Sequence, residues 1–175
     1  PVVNHPVAAT WLKNELKNGT RLIMCDPRSS ELARHATRYL QFKPDTDVAM
    51  LNAIMHTIIE EGLTDPVFIA SRTSGYDELK RNVADYSPEA MAPICGVDAP
   101  TLREVARMFA TSKGSMILWG MGISQHVHGT DNARCLIALA LTTGQLGRPG
   151  TGLHPLRGQN NVQGASDAGL IPMVY

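Results

Sequence analysis

The sequence predicts an α/β fold built on a mostly parallel sheet, and three observations carry that prediction. Short apolar runs at Arg21-Leu22-Ile23-Met24-Cys25, Tyr39-Leu40-Gln41-Phe42 and Ser115-Met116-Ile117-Leu118-Trp119 have the length and side chains of strands. Between and after them lie longer stretches with helical spacing, an alternation that favours parallel strands joined by right-handed crossovers. Each strand also runs into an unusual turn: Asp26-Pro27-Arg28-Ser29-Ser30, Lys43-Pro44-Asp45-Thr46-Asp47 and Gly120-Met121-Gly122-Ile123-Ser124-Gln125. Open α/β sheets bind ligands at the carboxyl ends of their strands, so these turns mark the expected binding edge.

Residues 6–18 read as a helix, with Val7, Trp11, Leu12 and Leu16 at helical spacing and a stop at Asn18-Gly19. Residues 46–61 are apolar over much of a helix circumference (Met50, Leu51, Ile54, Met55, Ile58, Ile59), which predicts a buried helix capped by Gly62. Residues 65–112 read as short helical pieces broken at Gly75, Pro88, Pro93 and Gly96. The clearest piece starts at an Asp98 N-cap and carries Leu102, Val105, Ala106 and Phe109 inward. A last helix over 131–143 is expected to bury Leu136, Ile137, Ala140 and Leu141 and to end at Gly144. A Gly-rich connector over 145–152 follows. Met50, Met55 and Met116 read as core filler.

The chain has 175 residues, enough for one domain with a real core. Only 18% of residues are charged, below the roughly 25% usual in soluble domains, so part of the surface is expected to be covered by a partner or by more chain. Sixteen basic and sixteen acidic residues cancel, which removes the bulk electrostatics of nucleic-acid or membrane binding. Cys25, Cys95 and Cys135 are dispersed and read as reduced thiols in a cytoplasmic setting. They form no cluster motif. No stretch approaches the roughly 20 apolar residues of a membrane span. Both ends, Pro1-Val2-Val3-Asn4-His5-Pro6 and Ile171-Pro172-Met173-Val174-Tyr175, read as cut from a longer polypeptide.

The segment Leu156-Arg157-Gly158-Gln159-Asn160-Asn161-Val162-Gln163-Gly164 packs one cation, four amides and two glycines into nine residues with no helix or strand period. Amides supply donors and acceptors, Arg a planar fork of donors, and Gly lets backbone approach a ligand. The segment reads as a wrap for a polar, anionic ligand. The alternative is a turn-rich loop whose amides satisfy neighbouring backbone.

Taken together, His5-Pro6, Asp26-Pro27-Arg28, Lys43-Pro44-Asp45-Thr46-Asp47, Trp119-Gly120-Met121-Gly122 with Gln125, Gly144-Gln145-Leu146-Gly147-Arg148-Pro149-Gly150 and Arg157 to Gly164 resemble, in order and spacing, the molybdopterin oxidoreductase family. Within it the chain is most similar to the catalytic alpha subunit of formate dehydrogenase, particularly the soluble NAD-linked kind. The resemblance spans essentially the whole chain. It implies a Rossmann-like open sheet with flanking helices, of the formate dehydrogenase/DMSO reductase type. Residues 1–157 would form a cofactor-cradling domain, incomplete at its N-terminal side, and 158–175 would begin the adjoining domain. The implied cofactor is bis-molybdopterin guanine dinucleotide with molybdenum or tungsten. Formate would be the substrate, and iron–sulfur clusters and NAD would lie elsewhere in the parent, with diaphorase and iron–sulfur subunits as partners. The Cys or selenocysteine metal ligand would precede this stretch, so the chain supplies no metal ligand and is expected to be inactive alone. An uncovered sheet edge would leave apolar surface able to drive self-association.

The same resemblance implies residue roles. Arg157 corresponds to the family's active-site arginine, which would orient formate; its alternative is an ion pair with Asp167. Asp26 and Arg28 would contact the nucleotide end of one pterin, or else form an Asx-Pro turn with a surface Arg. Asp47 would read guanine, with Pro44 and Asp45 in the same loop; an acid in a helix's first turn is also favoured by the dipole alone. Gly120, Met121, Gly122, Gln125 and Gln159 would run along the pterin, or the first four would make an ordinary strand–helix turn. His5 would lie near the pyrophosphate, with Pro6 opening a helix suited to phosphate. Some relatives carry an acid where this chain has Val3. His126, His128 and His154 read as surface or packing residues, with His154 near enough to Arg157 to line a substrate approach. Two other readings stay open: a nitrate-reductase-like enzyme of the same family, and a non-catalytic electron-transfer scaffold like the large iron–sulfur subunit of respiratory complex I.

Overall fold

A computed structural model describes residues 2–170; Pro1 and residues 171–175 lie outside the described residues. The chain opens with α1 (Pro6–Lys17), then β1 (Ile23–Cys25), a 3-10 turn (Ala33–His35) and β2 (Arg38–Leu40). The long α2 (Asp47–Glu60) leads into α3 (Pro66–Arg72), α4 (Tyr76–Asn82), α5 (Pro88–Cys95) and α6 (Ala99–Ala110). Then come β3 (Met116–Trp119), α7 (Met121–Ser124), α8 (Gly129–Thr142), β4 (Gly152–Pro155), α9 (Val162–Ala165) and a π turn (Ser166–Leu170). The α/β class and the parallel pairing hold. Among the described residues the strands stand as two pairs, β1 with β2 and β3 with β4, both parallel.

The core forms around α2. Met50, Leu51, Ala53, Ile54, Met55, Thr57 and Ile58 are all buried there, against α5, α6 and α8. Each large apolar side chain so buried contributes about 1.5–3 kcal/mol relative to exposure. Leu40, Phe42, Leu102, Val105, Leu136 and Leu139 complete the cluster. Side chains cap the starts of α3, α5 and α6. Asp65 accepts from the Phe68 amide at 2.9 Å, Ser87 from Ala90 at 3.3 Å and Asp98 from Thr101 at 2.9 Å. A proline in each first turn needs no amide donor. Gly144 ends α8 at φ +63°, and a Cβ there would fall 2.5 Å from Asp65 Oδ2, so only glycine lets the α3 cap sit over this helix end.

Several expectations are corrected. The strands are shorter than the apolar runs: β1 starts at Ile23 and β2 stops at Leu40. Pro93 lies inside α5 and does not break it; the helix ends within one further turn, at Gly96 with φ +79°. On α1, Val7 and Trp11 are 70% and 68% exposed while Ala9 is buried, so the apolar stripe marks a face that these residues leave uncovered. On α8, Leu139 is inside and Ile137 outside. Met116 is half exposed on β3, unlike Met50 and Met55. The connector after Gly150 contains a strand, β4, that its composition does not announce.

A candidate cofactor-cradling site

The β3–β4 register sets the first half of the site. Trp119 pairs with Pro155, and the Leu156 amide donates to the Trp119 carbonyl at 2.6 Å. Both strands therefore end level, and Gly120-Met121 and Arg157-Gly158 leave side by side. A Cβ on Gly158 would fall 2.7 Å from Met121 Cε, so the Met121 tip rests on the Gly158 backbone. From the other end of the chain His5 joins them: its Nε2 hydrogen bonds the Arg157 carbonyl at 2.9 Å. The His5 Nδ1 is buried and has no partner among the described residues.

The Arg157 side chain is exposed and forms no ion pair among the described residues. Asp167, its alternative partner, instead accepts from Gln163 Nε2 at 3.1 Å. The wrap is less irregular than its composition suggests. Asn161, at φ +50°, caps the one-turn α9 by accepting from the Gly164 amide at 3.2 Å. The His154 ring lies over the Gly152 backbone.

The second half lies at the end of β1. Asp26 Oδ1 accepts from the Arg28 amide at 2.8 Å, so the Asx turn is real. Tyr39 Oη donates to the Asp26 carbonyl at 2.9 Å and Gln41 Nε2 to the Pro27 carbonyl at 3.1 Å, which pins the turn to β2. The Arg28 guanidinium is exposed with no ion pair among the described residues. Part of Cys25 reaches solvent, yet surrounding atoms and the charges of Asp47 and Asp26 push its thiol up to about 12. It stays a thiol, and the two carboxylates lie close enough to act on the same group.

The 43–47 loop joins the halves. Lys43 is tied to α5 through its amide on Cys95 at 2.7 Å and its ammonium on Pro93 at 2.8 Å. Asp45, at φ +64°, approaches His126 Nδ1 to 3.4 Å. This contact spans β2–α2 and α7–α8, and sequence spacing gave no signal for it. His126 is therefore partnered, not simply a surface residue. Pro44 is exposed beside this contact. Asp47 opens α2 and is only 4% exposed. Burial holds its carboxyl above the usual range, opposed in part by its own amide and by His126 and reinforced by Asp45.

The 120–125 turn holds a single helical turn, α7, and is not an open loop. Asn132 Nδ2 donates to the Ile123 carbonyl at 3.0 Å and locks α7 onto α8. Gly120 and Gly122 leave open backbone beside it. Gln125 and Gln159 are exposed, and neither side-chain amide has a partner among the described residues. Gln145, expected only as part of the Gly-rich connector and of the family-like Gly144–Gly150 string, is an anchor. Its Oε1 accepts from the Ser115 amide at 2.9 Å and from Arg148 Nη2 at 3.1 Å, and its Nε2 donates to the Ser112 carbonyl at 3.0 Å.

Comparison with known proteins decides what this geometry belongs to. The family model described as molybdopterin oxidoreductase matches residues 1–172. The chain belongs to the molybdopterin oxidoreductase family. Formate dehydrogenase H of Escherichia coli is 46% identical over the whole chain, which spans 24% of that relative. The F420-dependent formate dehydrogenase 1 subunit alpha of Methanococcus maripaludis is 44% identical over 98% of the chain, spanning 25% of that relative. The chain thus spans about a quarter of the length of these curated relatives. Among solved structures, acetylene hydratase from Pelobacter acetylenicus superposes with a TM-score of 0.77 at 32% identity, over 79% of this chain and 19% of that one.

Membership implies a molybdopterin cofactor, and the residues present fit one. A pterin nucleotide is rich in donors, acceptors and phosphate. This edge offers an orphaned His5 Nδ1, unpartnered amides at Gln125 and Gln159, unpaired guanidinia at Arg28 and Arg157, a buried Asp47 carboxylate and close backbone at Gly120 and Gly158. Among the described residues no three His, Cys, Asp or Glu side chains gather as a metal site, and no helix is long and apolar enough to cross a membrane.

Proposed function

We propose that this chain is the part of a formate dehydrogenase catalytic subunit that cradles one side of a bis-molybdopterin guanine dinucleotide and presents Arg157 to formate. The observation that carries the proposal is Arg157 itself. It is exposed and unpaired among the described residues, and its backbone is pinned where β3 and β4 end together. The 46% identity to a formate dehydrogenase over all 175 residues supports this substrate over the hydratase chemistry named for the structural neighbour, whose likeness is 32% over 79% of the chain.

The reaction removes two electrons and a proton from formate and releases carbon dioxide. When bound, the metal–pterin group accepts the electrons. The chain's own residues do the rest. Arg157 can hold both carboxylate oxygens through its planar fork, fixing the direction of the C–H bond. That charge pairing ends when neutral carbon dioxide forms, which favours release. Gly120, Met121, Gly122, Gln125 and Gln159 would follow the pterin edges. Asp26 and Arg28 would meet ribose, base and phosphate, and Asp47 with Pro44 would face the guanine. His5 would lie by the pyrophosphate. Residues 1–157 would form the cradle and 158–175 begin the next domain. Molybdenum or tungsten, iron–sulfur clusters and the subunits that reduce NAD would come from outside this chain, in a cytoplasmic enzyme, and the chain alone would be inactive. The relatives named as F420-dependent support F420 as the alternative acceptor.

The test is a steady-state assay of the full-length, metal-loaded protein with formate, offering NAD and F420 in turn. Formate-dependent reduction of either supports the proposal and names the acceptor. Reduction of nitrate in its place moves the chain to another branch of the family.

A further inference from the structure

His5 is held from two sides and left open on a third. Its carbonyl accepts from the Ala9 amide at 2.9 Å, so the first turn of α1 fixes its backbone. Its Nε2 meets the Arg157 carbonyl at 2.9 Å, across 152 residues of chain. A carbonyl only accepts, so Nε2 must carry the hydrogen. The tautomer follows: in the neutral ring Nδ1 is a lone pair. That atom is buried and, among the described residues, is the only buried side-chain nitrogen or oxygen without a partner. Native proteins rarely leave such an atom unpaired.

We infer that His5 is a positioning residue for Arg157, whose Nε2 fixes the arginine's main chain while its Nδ1 is the contact for a polar group of the bound pterin nucleotide. This rests on the cofactor-cradling role proposed above. The two ring nitrogens link cofactor and substrate cation. A ligand group that orders Nδ1 also orders Nε2, and through it the carbonyl of the residue that would hold formate. Arg157 lies on a loop between β4 and the one-turn α9, with a glycine directly after it. Among the described side chains, that of His5 makes the hydrogen bond to the Arg157 main chain.

Two substitutions separate the nitrogens. Glutamine puts its amide nitrogen, a donor, near the reach of Nε2, and asparagine puts its amide oxygen, an acceptor, near the reach of Nδ1. Full-length holoenzyme carrying His5→Gln or His5→Asn would be compared with wild type in three ways: pterin released per chain, KM and kcat for formate, and the rate of tryptic cleavage at the Arg157–Gly158 bond. His5→Asn should keep its pterin, raise KM for formate about five- to tenfold with a smaller change in kcat, and be cut faster after Arg157, because one net hydrogen bond is lost. His5→Gln should keep KM and the slow cleavage of wild type and lose pterin. Equal behaviour of the two variants in cleavage and pterin content overturns the inference, as does wild-type cleavage in His5→Asn. If the wild type fails to oxidise formate, the substrate reading fails alone. Cleavage and pterin content still decide the role of His5.

Discussion

Replacing Gln145 with leucine should cost about 3 kcal/mol, although the new side chain is apolar, similar in size and placed where the old one is 1% exposed. The figure comes from the three bonds the amide makes, to the Ser115 amide, Arg148 Nη2 and the Ser112 carbonyl. Each is worth about 1 kcal/mol net, and the Ser115 N–H loses its partner at the entry to β3. The Arg148 contact is charge-assisted and offsets any gain from burying leucine. Arg148 also donates to the Gly144 carbonyl at 3.3 Å and to the Lys113 carbonyl, so the network ties the end of α8 to the entry of β3. Urea unfolding followed by tryptophan fluorescence reads it, with Trp119 at the end of β3 as reporter. A loss below about 1 kcal/mol would mean that Gln145 only fills space and that the pair is held in register by other contacts.

Two further predictions follow from burial and from backbone. Asp47→Asn should stabilise the cofactor-free chain at neutral pH. Burial raises the folded pKa of Asp47 above its ordinary 3.8, so the folded state binds more protons than the unfolded one just above that value. Stability contributed by this group is therefore lost as pH rises through the window. A wild-type pH–stability curve without that fall relative to Asp47→Asn would refute the assignment, and the full-length variant should bind less pterin nucleotide. Gly129→Ala should cost about 3 kcal/mol, near the upper end for overpacking, because its Cβ would lie 2.0 Å from the Ser124 carbonyl oxygen, where no side chain can swing aside. Thermal unfolding unchanged from wild type would show that α7 shifts freely on α8.

What the sequence disclosed and what it concealed differ by the range of the interaction. The Asp98 cap, the Gly144 helix end and the Asp26–Arg28 turn depend on residues within a few positions, and each was legible. β4 was not. Gly152-Leu153-His154-Pro155 has no alternating apolar pattern, its φ of +138° at Gly152 suits glycine alone, and its extended form comes from pairing with β3. Helical periodicity gave the stripes on α1 and α8 but not which side the core would take, so Ile137 is expected inside and lies outside, and the α1 stripe holds Val7 and Trp11 exposed. In the site, the strand ends were found from turn chemistry, and the bonds that join them were missed. His126 to Asp45, His5 to Arg157 and Gln145 to Ser112 each bridge long stretches of chain.

Arg157→Ala in the full-length enzyme, with metal and pterin measured in the same preparation, tests the central claim most directly. The account predicts retained metal and pterin and a fall of about a hundredfold or more in kcat/KM for formate, since a bidentate charge pair to the substrate is lost. Unchanged kcat/KM in a metal-loaded variant would contradict it, and Arg157 would then belong to the wrap around the cofactor and not to the handling of formate.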